Sequence, residues 1–297
     1  MNERQHHLLL VNPSAGRGRA AEALPEVEEA FRRHGLEYRL VLTQGLEHGL
    51  DEAKAAAESG EIPVVLSGDG LIGQVGGALA GGEVPMGILP GGRGNDLARV
   101  LGIPREIPRA VDVIAAGDSR AIDVGEVNDR RFLGIASCGF DSDANRIANE
   151  ARLVKGNLVY LYAALKALAQ WKPARFTIVT DGTTTNFSGY SVAAANSKAY
   201  GGGMFLAPDA ELDDGRLDVV YTTHVSKLRF LASLPKVFKG AHVDNDEVTI
   251  LRAAEVEIRA DREFAVYADG DHLADLPATV RVLPRALRVI APAADSA

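Results

Sequence analysis

Pro63-Val64-Val65-Leu66-Ser67-Gly68-Asp69-Gly70 runs directly into Leu71-Ile72-Gly73-Gln74-Val75-Gly76-Gly77-Ala78-Leu79-Ala80. The first four residues form a short apolar run, β-branched at its centre, of the kind that makes a buried strand. Ser-Gly-Asp-Gly then turns the chain, and the apolar segment after it is long enough for a helix. The same unit recurs on both sides. A strand at 7–11 leads through Asn12-Pro13-Ser14-Ala15-Gly16-Arg17-Gly18 to a helix at 20–34, and a strand at 38–42 precedes a helix at 50–59. A strand at 86–89 leads through Pro90-Gly91-Gly92-Arg93-Gly94 to a helix at 95–101. Strand, loop and helix in succession specify a parallel sheet covered by helices. Right-handed crossovers place every strand-to-helix loop on one edge, where ligands of such sheets bind.

Glycine in these loops lets the backbone turn tightly and approach a ligand closely. Each helix that follows offers free N–H groups and the positive end of its dipole, which suits phosphate. One such loop is as readily a plain turn. Three on one edge make an anion cradle for a nucleotide. Gly16-x-Gly18-x-x-Ala21 also fits the dinucleotide fingerprint loosely, but the second strand ends Leu42-Thr43-Gln44, without the acidic residue that would hold a ribose. No Gly-Lys-Ser/Thr triplet occurs, so a Walker-type loop is absent.

From about Ile122 short β-branched or aromatic runs dominate, at 122–127, 132–136, 175–180, 191–195, 217–222, 248–250, 256–259, 264–268 and 279–283. Helical stretches at 158–171 and 226–239 interrupt them. This half reads as an antiparallel β-rich domain. The fold class is α/β: an N-terminal doubly wound, mostly parallel nucleotide domain, followed by a C-terminal antiparallel β-sandwich.

The 297 residues suffice for two domains, and 46% hydrophobic with 24% charged is ordinary globular composition. A net charge of −8 argues against a nucleic-acid partner held by general electrostatics. The single Cys138 rules out an intramolecular disulfide and fits a reducing cytoplasm. No apolar stretch approaches the roughly 20 residues that span a bilayer.

Taken together, the loops resemble the diacylglycerol kinase catalytic domain of bacterial lipid kinases and sphingosine kinases. The first is similar to the family's Asn-Pro-x-x-Gly motif. Ser67-Gly68-Asp69-Gly70-Leu71 is similar to its Gly-Gly-Asp-Gly-Thr signature, and Leu89-Pro90 through Arg99 to its Pro-x-Gly-Thr-x-Asn-Asp-x-Ala-Arg motif. Further matches follow in the family's order: Ile122-Asp123-x-Gly125, Gly139-Phe140-Asp141, Gly201-Gly202-Gly203-Met204, Pro208-x-Ala210-x-x-Asp213-Asp214-Gly215-x-Leu217, Ala268-Asp269-Gly270-Asp271 and Pro284-x-Ala286-Leu287. The chain departs from the pattern at Arg93 for Thr, at Leu71, Gly73 and Gln74 for Thr, Asn and Glu, and at Asp271 for Glu.

The resemblance implies an ATP- and Mg²⁺-dependent kinase that phosphorylates a hydroxyl of a lipid such as diacylglycerol. It implies an ATP-binding domain at 1–124 with 283–297 and a β-rich substrate domain at 125–282. It implies that Asn12, Ser14, Gly16, Thr43, Ser67, Gly68, Asp69, Gly70, Leu71, Ile72, Gly73 and Arg93 contact ATP. Asp69, Asp96 and Asp123 would form a water-bridged Mg²⁺ network. Hard carboxylate oxygens suit that ion, although Asp96 equally suits a helix cap. Glu211, Asp214 and Arg216 would hold a separate structural metal, or form an ordinary Asp-Gly turn.

Asp269 and Asp271, read as two positions apart on one strand, point to one face. One would take the acceptor's proton while the other holds metal or the glycine-rich backbone. Asp-Gly-Asp is also good turn chemistry. A lipid substrate requires the protein to meet the inner membrane surface peripherally, from the cytoplasm. The helix at 158–171, flanked by Lys155 and Lys172, and the basic helix at 226–239 either serve that contact or simply cap the β-domain. A sheet edge or sandwich face leaves a homodimer open. Two alternatives remain: a kinase of a soluble acceptor, as in NAD kinases, and a non-catalytic nucleotide- or lipid-binding regulator.

Overall fold

The computed structural model describes residues 6–140, 142–144, 147 and 165–293. Four strands, β1 (His6–Val11), β2 (Glu37–Leu42), β3 (Ile62–Ser67) and β4 (Gly87–Pro90), pair in parallel in the order β2-β1-β3-β4. β1 and β3 lie in the middle and are buried almost throughout, because helices cover both faces of the sheet. α1 (Arg19–His34) and α5 (Ile107–Ala116) pack together, as do α2 (Leu46–Glu58) and α3 (Asp69–Leu79). α4 (Asp96–Val100) is a single short turn after β4. α5 is an addition to the expectation. Its segment carries Pro104 and Pro108, which read as loop, but Pro108 falls in the first turn, where a missing N–H costs nothing.

The second half is antiparallel. Its strands are β5 (Ser119–Val127), β6 (Arg130–Phe132), β7 (Ile135–Gly139), β8 (Ala174–Thr180), β9 (Thr183–Ala195) and β10 (Leu217–Thr223). They continue with β11 (Val248–Ala253), β12 (Glu255–Ala260), β13 (Ala265–Ala268), β14 (Asp271–Asp275) and β15 (Ala278–Ile290). β9 belongs to both layers. Its residues 183–189 pair with β8, and its residues 191–195 pair with β7 and β10. Gly189 sits at the crossing, where a side chain would strike the Thr222 carbonyl. The two layers enclose an apolar core in which Tyr190 stacks on Phe230 at 4.0 Å. α6 (Lys227–Val237) and helical residues 165–170 cover it. Asp141, Lys155 and residues 158–164 of the expected helix lie outside the described residues. Among the described residues no helix is long and apolar enough to cross a membrane.

One antiparallel ribbon, β5 with β15, joins the halves. Residues 119–122 pair with 287–290 beside the parallel sheet, where Met86 bridges to Val289, and residues 124–127 pair with 280–283 in the sandwich. The register shifts between Leu283 and Leu287, opposite Asp123. α3 fills the angle between the halves and its glycines let it sit close. A Cβ at Gly76 would lie 3.0 Å from a methyl of Leu287 and closer still to Leu133.

Candidate active site

The three glycine loops touch one another through their backbones. A Cβ on Gly92 would lie 2.5 Å from Gly68 Cα, and one on Gly16 would lie 2.6 Å from the Gly91 carbonyl oxygen. Gly16 has φ +61°, which glycine adopts without strain. Gly91 N–H donates to the Ser67 carbonyl at 2.8 Å. Asn12 turns its carboxamide oxygen back onto the Ser14 N–H at 3.1 Å. Thr43 N–H donates to the Val11 carbonyl at 2.8 Å, which brings the end of β2 to the same edge. Leu71, Ile72 and Gly73 are buried in α3 and Arg93 is exposed on the third loop.

The helix N-termini differ, contrary to the expectation that all three are open. α3 starts at Gly68 with no side-chain cap, and α1 likewise starts uncapped at Gly18. The N-terminus of α4 is taken by Asp69, whose carboxylate accepts from Asp96 N–H at 2.6 Å, Asn95 N–H at 2.8 Å and Leu97 N–H at 3.3 Å. Burial, then the neighbouring Asp96 carboxylate, push the Asp69 acid above its ordinary value, against the pull of those three amides. Asp96 is paired with Arg99 and accepts from Gly202 N–H at 2.6 Å, so a loop of the sandwich closes onto the first half here.

Asp123 is bonded to other parts of the chain. It is fully buried, and its two oxygens accept from Gly215 N–H and Arg285 N–H, each at 2.7 Å. Among the described residues no three His, Cys, Asp or Glu side chains are arranged to hold a metal ion. Of the three aspartates, Asp69 and Asp96 are electrostatic neighbours, while the hydrogen bonds of Asp123 go to the joint between the halves. The loop at Glu211, Asp214 and Arg216 forms the Asp-Gly turn that was the other expectation for it. Glu211 is exposed, Asp214 accepts from the Arg216 N–H at 2.9 Å, and its other oxygen is paired with the Arg252 guanidinium. In this arrangement the Asp214 carboxylate closes the turn and faces Arg252.

Asp269 and Asp271 are not neighbours on one strand face. Asp269 and Gly270 are the two-residue turn between β13 and β14, with φ +53° and +96°. Positive φ at both turn positions is the mark of a tight hairpin whose twist matches its strands. The turn sends the two carboxylates apart. Asp269 faces inward and accepts from Leu133 N–H at 2.9 Å and Gly134 N–H at 3.1 Å, which is why the run at 132–136 breaks into β6 and β7. Burial pushes its acid up to about 6, with Asp69 and Asp271 adding to the rise. A Cβ on Gly73 would lie 2.9 Å from Asp269 Oδ2, so the turn rests directly on α3. Asp271 is exposed at the cleft and accepts from Gln74 Nε2 at 2.9 Å.

Four residues hold parts in the site that the sequence reading did not assign to them. Gln74 is one. Asn95 is a second: its side chain bonds both the N–H and the carbonyl of Gly92, at 2.8 and 3.2 Å, and closes the third loop. Arg99 pairs with Asp96 three residues back, a spacing that was readable. Asn196 donates to the Asp123 and Leu133 carbonyls, both at 3.0 Å, a link with no local signal in the chain.

Comparison with known proteins agrees with the fold. Residues 6–127 match the family model of the diacylglycerol kinase catalytic domain, and residues 134–291 match that of the YegS C-terminal NAD kinase β-sandwich-like domain. A diacylglycerol kinase of Mycobacterium tuberculosis is 35% identical over 292 residues, which are 95% of this chain and 94% of that one. A diacylglycerol kinase of Bacillus subtilis is 29% identical, over 96% of this chain and 95% of its own. The fold matches a crystal structure of a diacylglycerol kinase from Bacillus anthracis with TM-score 0.78 over 99% of each chain, at 21% identity. With its glycine cradle, its sandwich and its relatives in agreement over nearly the whole length, this chain belongs to the diacylglycerol kinase family.

Proposed function

We propose that this chain transfers the γ-phosphate of ATP to a hydroxyl of a lipid of the diacylglycerol class. The observation that carries the reading is the backbone-to-backbone closure of the three loops, opposite an exposed carboxylate from the other half. The phosphates sit on the uncapped N-terminus of α3, whose N–H groups and dipole favour anions. Asn12, Ser14, Gly16 and Thr43 line the cradle toward the nucleoside. Arg93, exposed on the third loop, suits a phosphate as a planar two-pronged donor. Asp69 and Asp96 fit Mg²⁺: half-buried Asp69 and buried Asp96 are neighbouring carboxylates, and their repulsion is what a divalent ion relieves. That ion would neutralise the charge of the transferred group.

Asp271 accepts the proton of the acceptor hydroxyl, while Asp269 fixes the hairpin. We assign residues 1–124 with 283–297 to the nucleotide lobe and 125–282 to the acceptor lobe. For the membrane partner, α6 carries Lys227, Arg229 and Lys236, and Leu228 and Phe238 stand 81% and 55% exposed. Basic and apolar groups together suit an anionic bilayer surface.

The test is incubation with labelled ATP, Mg²⁺ and a panel of lipids in mixed micelles, with Asp69→Ala and Asp271→Ala alongside. Label in the organic phase, lost in both variants, supports the reading. ATP binding without lipid label sinks it, in favour of a soluble acceptor or a non-catalytic binder.

A further inference from the structure

We infer that Gln74 is a positioning residue that holds the Asp271 carboxylate across the cleft, an inference that rests on Asp271 being the acceptor base. Gln74 Nε2 donates to Asp271 Oδ2 at 2.9 Å between residues 197 positions apart. The bond joins α3 of the nucleotide lobe to β14 of the acceptor lobe.

Two adjacent positions of α3 receive the two ends of the hairpin turn. Gly73, having no side chain, admits Asp269, and Gln74 reaches out to Asp271. Asp269 is fixed by the Leu133 and Gly134 amides, whereas Asp271 is exposed and has only this one hydrogen bond among the described residues. An unheld exposed carboxylate samples several rotamers, and holding one of its oxygens removes that freedom before reaction.

A carboxamide is the side chain that holds a base without spending it. It donates a hydrogen bond and carries no charge. A lysine or arginine there would form an ion pair and weaken the carboxylate as a proton acceptor. The held oxygen is Oδ2, which leaves Oδ1 for the acceptor hydroxyl.

α3 also sets the distance. Its first residue is Asp69, beside the proposed phosphate seat, and Gln74 is five residues further, about 7.5 Å along the axis at the helical rise. One rigid helix thus fixes both the phosphate end and the base end of the reaction, and the bond forms only when the lobes stand at this separation.

The experiment is steady-state lipid phosphorylation in mixed micelles by wild type, Gln74→Met, Gln74→Glu, Asp271→Asn and the Gln74→Met/Asp271→Asn double variant, each first checked for an unchanged melting temperature. Gln74→Met is expected to lower kcat roughly ten-fold with KM for ATP within about two-fold. Gln74→Glu, which puts the residue usual in the family pattern there but removes the N–H donor, is expected to lower kcat as well. In the Asp271→Asn background, Gln74→Met should cost nothing further, because the base that Gln74 positions is gone even though the amide oxygen could still accept its hydrogen bond. A wild-type kcat in both Gln74 variants overturns the inference, as does a loss that adds in full to that of Asp271→Asn. Full turnover by Asp271→Asn would instead overturn the assignment of the base itself.

Discussion

Asp218 is 5% exposed on β10, and burial first, then Asp209 and Glu211, push its acid up to about 6. A carboxyl whose folded value lies above its unfolded one stabilises the fold at acid pH, and that contribution is lost as pH rises through about 6. Asp218→Asn should therefore stabilise the protein at pH 7.5, on the order of 1 kcal/mol once solvent screening is allowed for. It should also flatten the gain in melting temperature that wild type shows between pH 7.5 and pH 5. An unchanged pH dependence in calorimetry would remove Asp218 as the source. At this scale the sequence was legible where a residue type carries its own chemistry. The glycine loops and Asp69 stand at the strand ends where the sequence placed them, because a tight turn and a hard carboxylate have local signatures. The separate duties of Asp269 and Asp271 were not legible, because one turn position decides which way each faces. Asp269's partners, Leu133 and Gly134, lie over a hundred residues upstream.

The loops act as a unit, and the contact that makes them one is backbone against backbone. Gly92→Ala puts a methyl 2.5 Å from Gly68 Cα and 2.9 Å from Asn95 Oδ1, so the second and third loops must part. ATP affinity by calorimetric titration is expected to fall at least ten-fold, with little change in melting temperature, since loop edges contribute little to the core. Retained affinity would mean that the loops are not closed when nucleotide is bound. The parallel half was readable element by element because buried strands and glycine loops alternate with the right period. α5 was missed because its prolines are loop signals anywhere but in a first turn. β14 was missed because Asp271, His272 and Asp275 make it polar on exposed positions, and the first half of β9 because its Thr and Asn faces solvent. The close spacing of Gly73, Gly76 and Gly77 in α3 was a signal left unused. A helix stripped of side chains at this spacing is a docking face, at about 1 kcal/mol of lost propensity per glycine.

Across the whole molecule, the halves meet at Asp123. It lies opposite the shift of register in the β5–β15 ribbon and ties Gly215 of a loop to Arg285 in the bulge of β15. Asp123→Ala leaves two amides without partners and should destabilise the protein by about 3 kcal/mol, read as a lower urea midpoint; a shift below a few tenths of a molar would contradict the role of strut. Resemblance supplied Asp123 as a metal residue. Its use as a strut was beyond reach, because the loop and the bulge that it joins meet only in the folded chain. The ribbon itself has a mechanical consequence. Two strands laid flat side by side behave as a leaf spring, stiff when stretched or sheared and compliant when flexed out of plane. The lobes of this protein cannot slide past each other, so their relative motion is a flexing that widens or narrows the mouth of the cleft. Gln74 and Asp271, on opposite jaws, make a catch that engages at the end of that stroke.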